Sequence, residues 1–383
     1  MTVRPYTVDI PGPVIDDLRD RLRGTRWPDQ IGEPWEYGTD LTYLRSLLGR
    51  WAEGYDWFAH QRRLNTYAHH LVDVGDDTIH VIREPARTVP APGALPVVLL
   101  HGWPSSFVQL LPMLSRLVDP AGHGGDPADA VDAVVISLPG YGFSSRPRQP
   151  GADTAHIADQ IVEVMAALGH RRFVGRGSDL GAGVLQQMAL RHPQAVAALH
   201  LSGTNPYLGW VPDDLSDAEK RFVEDAKRWN QSEMAYAQEH ATKPQTLAYA
   251  LNDSPAGLAA WVIEKFRRWS DCGGDLDSVY DRDDLLTNLT IYWATQTIGS
   301  SMRLYYETAH STGAAWGRVE VPTAMAMSSA DMFPTPREWV ERQWNVVRWT
   351  DLPRGGHFLE WEVPELLASD LHAFLREQRT NWT

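Results

Sequence analysis

The feature that most restricts the fold is an alternation of short, mostly apolar runs with amphipathic stretches, interrupted once and then resumed. Residues 96–100, 133–138, 172–175 and 195–201 read as short strands, the first of them wholly apolar. Residues 107–118, 155–168 and 180–191 lie between them with helical periodicity. Strands buried on both faces and separated by helices predict a parallel sheet covered on both sides. The pattern returns with a strand at 321–327, a helix at 336–343, a strand at 346–350 and an amphipathic helix at 364–377. Residues 206–318, between the two halves, read as mostly helical and aromatic, with Trp210, Trp229, Trp261, Trp269 and Trp293. An insertion of that length predicts a cap over the strand ends, where open α/β sheets hold their ligands.

The chain therefore divides into a leader at 1–90, a first core half at 91–205, a helical cap at 206–318 and a second core half at 319–383. In the leader, Pro11-Gly12-Pro13 opens a helix with Val14, Ile15, Leu18 and Leu22 on one face, closed by Gly24. A second helix starts at Asp40 and repeats Leu41, Leu44, Leu47, Leu48 and Trp51. Residues 70–74 and 78–82 form a hairpin through Gly75-Asp76-Asp77. Segments 91–93 and 122–132 read as surface loops.

A net charge of -14 speaks against nucleic acid or an anionic membrane as partner, since both are drawn to basic faces. The single cysteine, Cys272, excludes an internal disulfide and sits in no catalytic motif. The first residues lack the apolar stretch of a signal peptide, and the apolar run at 95–100 is too short to span a bilayer. The expectation is a soluble, cytoplasmic protein.

Four motifs carry chemistry. In Phe173-Val174-Gly175-Arg176-Gly177-Ser178-Asp179-Leu180-Gly181-Ala182, a strand enters a helix through a small-x-nucleophile-x-small turn, which lifts Asp179 clear of the backbone. Shifting the frame to Ser178 would put Arg176 and Leu180 in the small positions; a plain helix N-cap is the bland alternative for Asp179. In Val97-Val98-Leu99-Leu100-His101-Gly102-Trp103-Pro104-Ser105-Ser106, a strand ends in a turn suited to an oxyanion hole. The Trp103 amide is one expected donor and that of Leu180, after the nucleophile, the other. Trp103-Pro104 is a candidate cis bond. Among the 14 histidines, His357 stands out behind Gly355-Gly356 between the last strand and last helix; His101, His200 and His310 read as structural or surface. Asp331, just past the strand at 321–327, is the carboxylate expected to hold His357, with a loop-capping aspartate as the alternative.

Together these motifs resemble the microsomal-type epoxide hydrolases, a branch of the α/β-hydrolases, and the likeness runs along nearly the whole chain. It includes Thr25-Arg26-Trp27-Pro28, Trp35-Glu36-Tyr37-Gly38, Tyr55-Asp56-Trp57 and the cap strings Ala250 to Trp261, Asp284 to Asn288 and Tyr292-Trp293. The resemblance implies an α/β-hydrolase fold with a helical cap and N-terminal helical leader. It also implies conversion of an epoxide to a diol through an ester on Asp179, which water activated by His357 and Asp331 then hydrolyses. The family's two lid tyrosines map onto Tyr305, with Tyr306 as neighbouring competitor, and onto Tyr236. No metal and no organic cofactor is called for. The implied partner is a small-molecule epoxide, a homodimer stays open, and the likeness extends to bacterial enzymes of antibiotic biosynthesis, hence of secondary metabolism. Three places depart from the family: Ser178 and Leu180 at the elbow, Ser328-Ser329 before Asp331, and Leu359-Glu360-Trp361 after His357. All three are expected to line or border the pocket. The rivals are a haloalkane dehalogenase, which would want a tryptophan at Leu180, and a non-catalytic binding protein on the same scaffold.

Overall fold

The mostly apolar runs become strands because each is short and lies between helical stretches, so nearly all their side chains can be buried at once. In the computed structural model, which describes residues 1–203, 211–332 and 334–382, the strands in chain order are β1 Val3–Pro5, β2 His69–Val74, β3 Asp77–Glu84, β4 Val97–Leu100, β5 Ala133–Ile136, β6 Phe173–Ser178, β7 Val196–Ser202, β8 Val319–Ser328 and β9 Trp344–Leu352. They form one sheet in the order β1-β2-β3-β5-β4-β6-β7-β8-β9. Every residue of β4, β5, β6 and β7 is buried. Pairing is antiparallel from β1 to β5 and parallel from β5 to β9. The expected mostly parallel, doubly covered sheet is thus present. β1 was not foreseen: its three exposed residues carry no periodicity, and it pairs only with β2.

Local chemistry fixes the helix ends. Helix Gly12–Arg23 buries Ile15, Leu18 and Leu22 and stops at Gly24. Helix Leu41–Gly49 is capped by Asp40, whose carboxylate accepts the Tyr43 amide at 2.7 Å. The stretch expected as one helix at 107–118 is a 3-10 turn, Phe107–Leu110, running into Leu111–Val118. Pro112 sits in its first turn, where a missing N–H costs nothing. The helix expected at 336–343 shrinks to Arg337–Glu341. Helix Trp57–Leu64 has only two buried residues and gave no sequence signal.

The cap contains helices Asp217–Glu233, Ala235–Thr242, Pro244–Asp253, Pro255–Trp269, Arg282–Thr295 and Ile298–Ala309. Trp210 and the expected junction at 205/206 lie outside the described residues. The leader grips this cap. Trp51 Nε1 donates to Thr290 Oγ1 at 2.9 Å, the Tyr55 hydroxyl meets that of Thr287 at 2.9 Å, and Thr39 donates to the Ala260 carbonyl at 2.6 Å. Arg50 forks onto Asp283 at 2.6 and 2.7 Å. The exposed ion pair adds little, whereas each buried bond contributes about 1 kcal/mol and fixes the cap's orientation. Among the described residues, no helix is long and apolar enough to cross a membrane.

Candidate active site

The site lies where β4, β6 and β8 end and where the chain leaves β9. At the end of β6 the chain turns directly into helix Asp179–Arg191. Asp179 takes the turn with φ of +51°, a left-handed conformation that costs a non-glycine residue about 1–3 kcal/mol. The turn is tight because a Cβ on Gly181 would stand 2.6 Å from the Leu100 carbonyl oxygen and 2.8 Å from that of His101. The small residue is therefore required by β4 next door. Ser178, the alternative nucleophile, is buried and donates its hydroxyl to Glu360 at 3.1 Å.

The β4 turn meets Asp179 from the side. The Trp103 amide donates to Asp179 Oδ1 at 2.9 Å, and Trp103-Pro104 is cis. Leu180, expected as the second donor, follows at once in the helix, but its amide makes no hydrogen bond to Asp179 among the described residues. Asp179 Oδ2 lies 3.4 Å from His357 Nε2, an ion-pair distance without hydrogen-bond alignment, so Nε2 keeps its bonding capacity unused. On the other ring face, Nδ1 bonds Asp331 Oδ1 at 2.9 Å. Burial works against a charged imidazole here, but the Asp331 and Asp179 carboxylates outweigh it and push the His357 pKa up to about 10. Asp331 is itself held by the Met332 amide, at 2.6 Å.

The cap closes over this group. Tyr236 stacks on Trp103, with centroids 5.2 Å apart, and Tyr305 stands edge-on to both at 6.0 and 6.1 Å. Burial, and then the Asp179 charge, raise the Tyr236 pKa; burial, then the Tyr236 and Asp179 charges, raise that of Tyr305. Both phenols therefore stay neutral donors. Tyr306, the competitor, is exposed and stacks on His310. The structure thus brings Asp179, His357, Asp331, Trp103, Leu180, Tyr236 and Tyr305 into one place.

Sequence reasoning missed several neighbours. Trp269 accepts the His357 amide on its carbonyl at 2.8 Å and sets its ring edge-on to the imidazole. His240 lies between Trp103, Tyr236 and Tyr305, accepts the Trp261 indole N–H at 3.2 Å and is kept neutral by burial, which with Lys265 lowers its pKa to about 3. Glu362 collects the Asp271, Gly356 and Phe358 amides at 2.8–2.9 Å and shapes the histidine loop. Gly203, with φ of +55°, leaves room for the pair beside it: a Cβ there would come within 3.0 Å of Asp331 and 3.4 Å of His357. His240 and Glu362 stand in no motif, and the contacts of His240 and the Asp271 bond of Glu362 join segments distant in sequence.

The three departures from the family pattern fall in different settings. Leu180 is half-buried beside Asp179. Ser328 is buried and donates to the Gly355 carbonyl, tying the acid loop to the histidine loop. Ser178 and Glu360 are buried against each other. Ser178, Ser328 and Glu360 thus tie loops together.

The chain matches the family model for the epoxide hydrolase N terminus over residues 3–110 and that for the alpha/beta hydrolase fold over residues 96–305. It is 36% identical over 380 residues to a Stigmatella aurantiaca protein provisionally named an epoxide hydrolase, covering 98% of this chain and 86% of that one. It is 32% identical over 406 residues to epoxide hydrolase 1 of Oryctolagus cuniculus, with 98% and 89% covered. Among solved structures, the juvenile hormone epoxide hydrolase of Bombyx mori superposes with a TM-score of 0.84 at 29% identity, covering 99% of this chain and 94% of that one. The epoxide hydrolase of Aspergillus niger gives 0.84 at 28% identity, with 98% and 97% covered. The chain thus belongs to the epoxide hydrolases of α/β-hydrolase fold, and the reaction it catalyses is the hydrolysis of an epoxide.

Proposed function

We propose that Asp179 opens the epoxide by forming an ester with one of its carbons, and that His357, paired with Asp331, activates the water that cleaves this ester. The observation that carries this reading is the division of labour between the two oxygens of Asp179. Oδ1 is held by the Trp103 amide, and Oδ2 is left facing His357 Nε2. Oδ2 is the attacking atom. As the C–O bond of the epoxide breaks, Tyr236 and Tyr305 donate to its oxygen; a neutral phenol is a stronger acid than water. Water, deprotonated by His357, then adds to the ester carbon. Negative charge collects on Oδ1, where the Trp103 amide and, once aligned, that of Leu180 stabilise it. The diol leaves and Asp179 is restored.

The two halves call for His357 in different states. It is a cation beside the free Asp179 carboxylate, and must be a neutral base once that carboxylate is an ester. Alkylation removes one of the charges that raise its pKa, so the first step prepares the second. Leu180 has no side-chain donor for a halide, which favours an epoxide over a haloalkane. A cytoplasmic bacterial setting, a place in secondary metabolism and a homodimer belong to the same proposal.

The test is a single turnover with enzyme in excess in H2(18)O. The expected result is heavy oxygen in Asp179 and none in the diol of that first turnover. Heavy oxygen delivered straight to the diol refutes the covalent reading. Halide release from a haloalkane, assayed beside diol formation from styrene oxide, separates the dehalogenase.

A further inference from the structure

Three residues before Asp179 and three after His357, Arg176 and Glu360 meet with no solvent exposure, at 2.7 Å. The chemistry above uses neither. Removing two charges from water is costly, and an apolar pair of the same volume commonly serves stability as well or better. What the pair offers here is its connections. Arg176 sits in the otherwise apolar and small strand β6. Its guanidinium donates to the carbonyls of Gly177 at 3.1 Å and His200 at 3.3 Å, and to Ser202 Oγ at 2.7 Å. Glu360 takes the Ser178 hydroxyl at 3.1 Å on the oxygen that Arg176 binds. Its other oxygen takes Gln109 Nε2 at 2.7 Å, and Gln109 in turn accepts the Ser105 hydroxyl.

Each connection ends beside a working group. Ser178 precedes Asp179. Ser105 lies two residues past Trp103, in the turn that holds Asp179 Oδ1. Ser202 precedes Gly203, which lies against Asp331 and His357. Glu360 itself belongs to the short helix Leu359–Glu362 that begins just after His357. Ser178 and Glu360 are two of the places where this chain leaves the family pattern, 182 positions apart, and they meet.

We propose that the Arg176–Glu360 pair is a positioning device: it sets the distances among Asp179, the Trp103 turn and His357 by joining their three loops through one buried carboxylate. The proposal rests on the roles given to Asp179 and His357 above. Charge-assisted bonds are short and directional, so they hold loops to a narrower range than apolar contacts do. That precision matters because a misplacement of about 1 Å near a reacting centre costs on the order of 100-fold in rate.

The experiment compares wild type with R176L/E360L, Ser178→Ala and Gln109→Leu. Diol formation from styrene oxide gives kcat and KM, single turnovers separate ester formation from ester breakdown, and thermal unfolding reports the fold. The expected result for R176L/E360L is a folded enzyme with KM little changed and kcat lowered roughly 10- to 100-fold, both steps being slower. Ser178→Ala, which cuts one tie, should lower kcat in the wild-type background and not in R176L/E360L. A merely structural pair would lower the unfolding temperature and leave kcat of the folded fraction intact. A folded R176L/E360L with kcat within about twofold of wild type overturns the proposal. If that variant does not fold, Ser178→Ala and Gln109→Leu decide, since both keep the ion pair; kcat within about twofold in both overturns it. Wild type that makes no diol sinks the catalytic reading and the proposal together, whereas an active wild type with unaffected variants refutes only the positioning role.

Discussion

Replacing Asp179 with asparagine copies the charge of the esterified nucleophile while keeping its size, and it should drop the His357 pKa by about three units. The size of the effect follows from the geometry. Asp179 Oδ2 lies 3.4 Å from His357 Nε2. Two unit charges about 4 Å apart interact by about 4 kcal/mol at an effective dielectric constant of about 20. At about 1.4 kcal/mol per pKa unit, that is roughly three units. His357, pushed up to about 10 by Asp331 and Asp179 against its burial, should therefore titrate well below that in Asp179→Asn, by about three units. A base with a pKa near 7 is the one the second step requires, which is why the variant reports on mechanism. The assay is NMR titration of the imidazole nitrogens in histidine-labelled protein. Stability offers a second readout. A histidine whose folded pKa exceeds its unfolded value of about 6.5 stabilises the fold fully below that pH, and loses the contribution as pH rises through the folded pKa. Wild type should lose unfolding temperature between about pH 6.5 and 10, and Asp179→Asn should lose far less of it. If His357 in Asp179→Asn titrates within about one unit of wild type, the coupling argued from the 3.4 Å contact is refuted.

Three further outcomes are expected. His357→Ala should stop at the ester, so intact-mass analysis after a styrene oxide pulse should show one added epoxide, carried by the peptide with Asp179. Tyr305→Phe and Tyr236→Phe should each slow ester formation about 10-fold or more, with ester breakdown little changed, and the double variant should lose most of the first step; single-turnover quench experiments read both. Gly181→Ala should abolish activity and lower the unfolding temperature, because its Cβ would stand 2.6 Å from the Leu100 carbonyl oxygen, where only backbone can give way.

The sheet was legible because its inner strands are buried on both faces, and short runs as apolar as β4, β5 and most of β7 have few other uses. The elbow, the Trp103 turn and the His357 loop were legible because each is a local string whose residue types are dictated within the string. Gly181 is small because of Leu100, yet the spacing to Asp179 alone gives it away. What the sequence hid depends on distant partners. The leader reads as a helical preface, but its work is done through Trp51, Tyr55 and Arg50 on a cap helix more than 230 positions later. Trp269 reads as one cap tryptophan among several and His240 stands in no motif; only the folded cap sets them against His357 and Tyr305.

The departures from the family pattern show where such reading can be sharpened. Ser178, Ser328 and Glu360 look like pocket changes because they neighbour Asp179, Asp331 and His357 in sequence. Yet each of the three hydrogen-bonds to a distant segment of the chain, in the packing that holds the site together. A better signal was already present in β6, where Arg176 interrupts a run of apolar and small residues. A charge inside a strand buried on both faces must find its opposite, and the search for that opposite leads to Glu360, the carboxylate at an unexpected position in the histidine loop. The substrate-facing chemistry of this fold rests on residues that family motifs identify, whereas the geometry that keeps those residues in register is written in pairs such as Arg176 and Glu360, which become visible when every buried charge is required to have a partner.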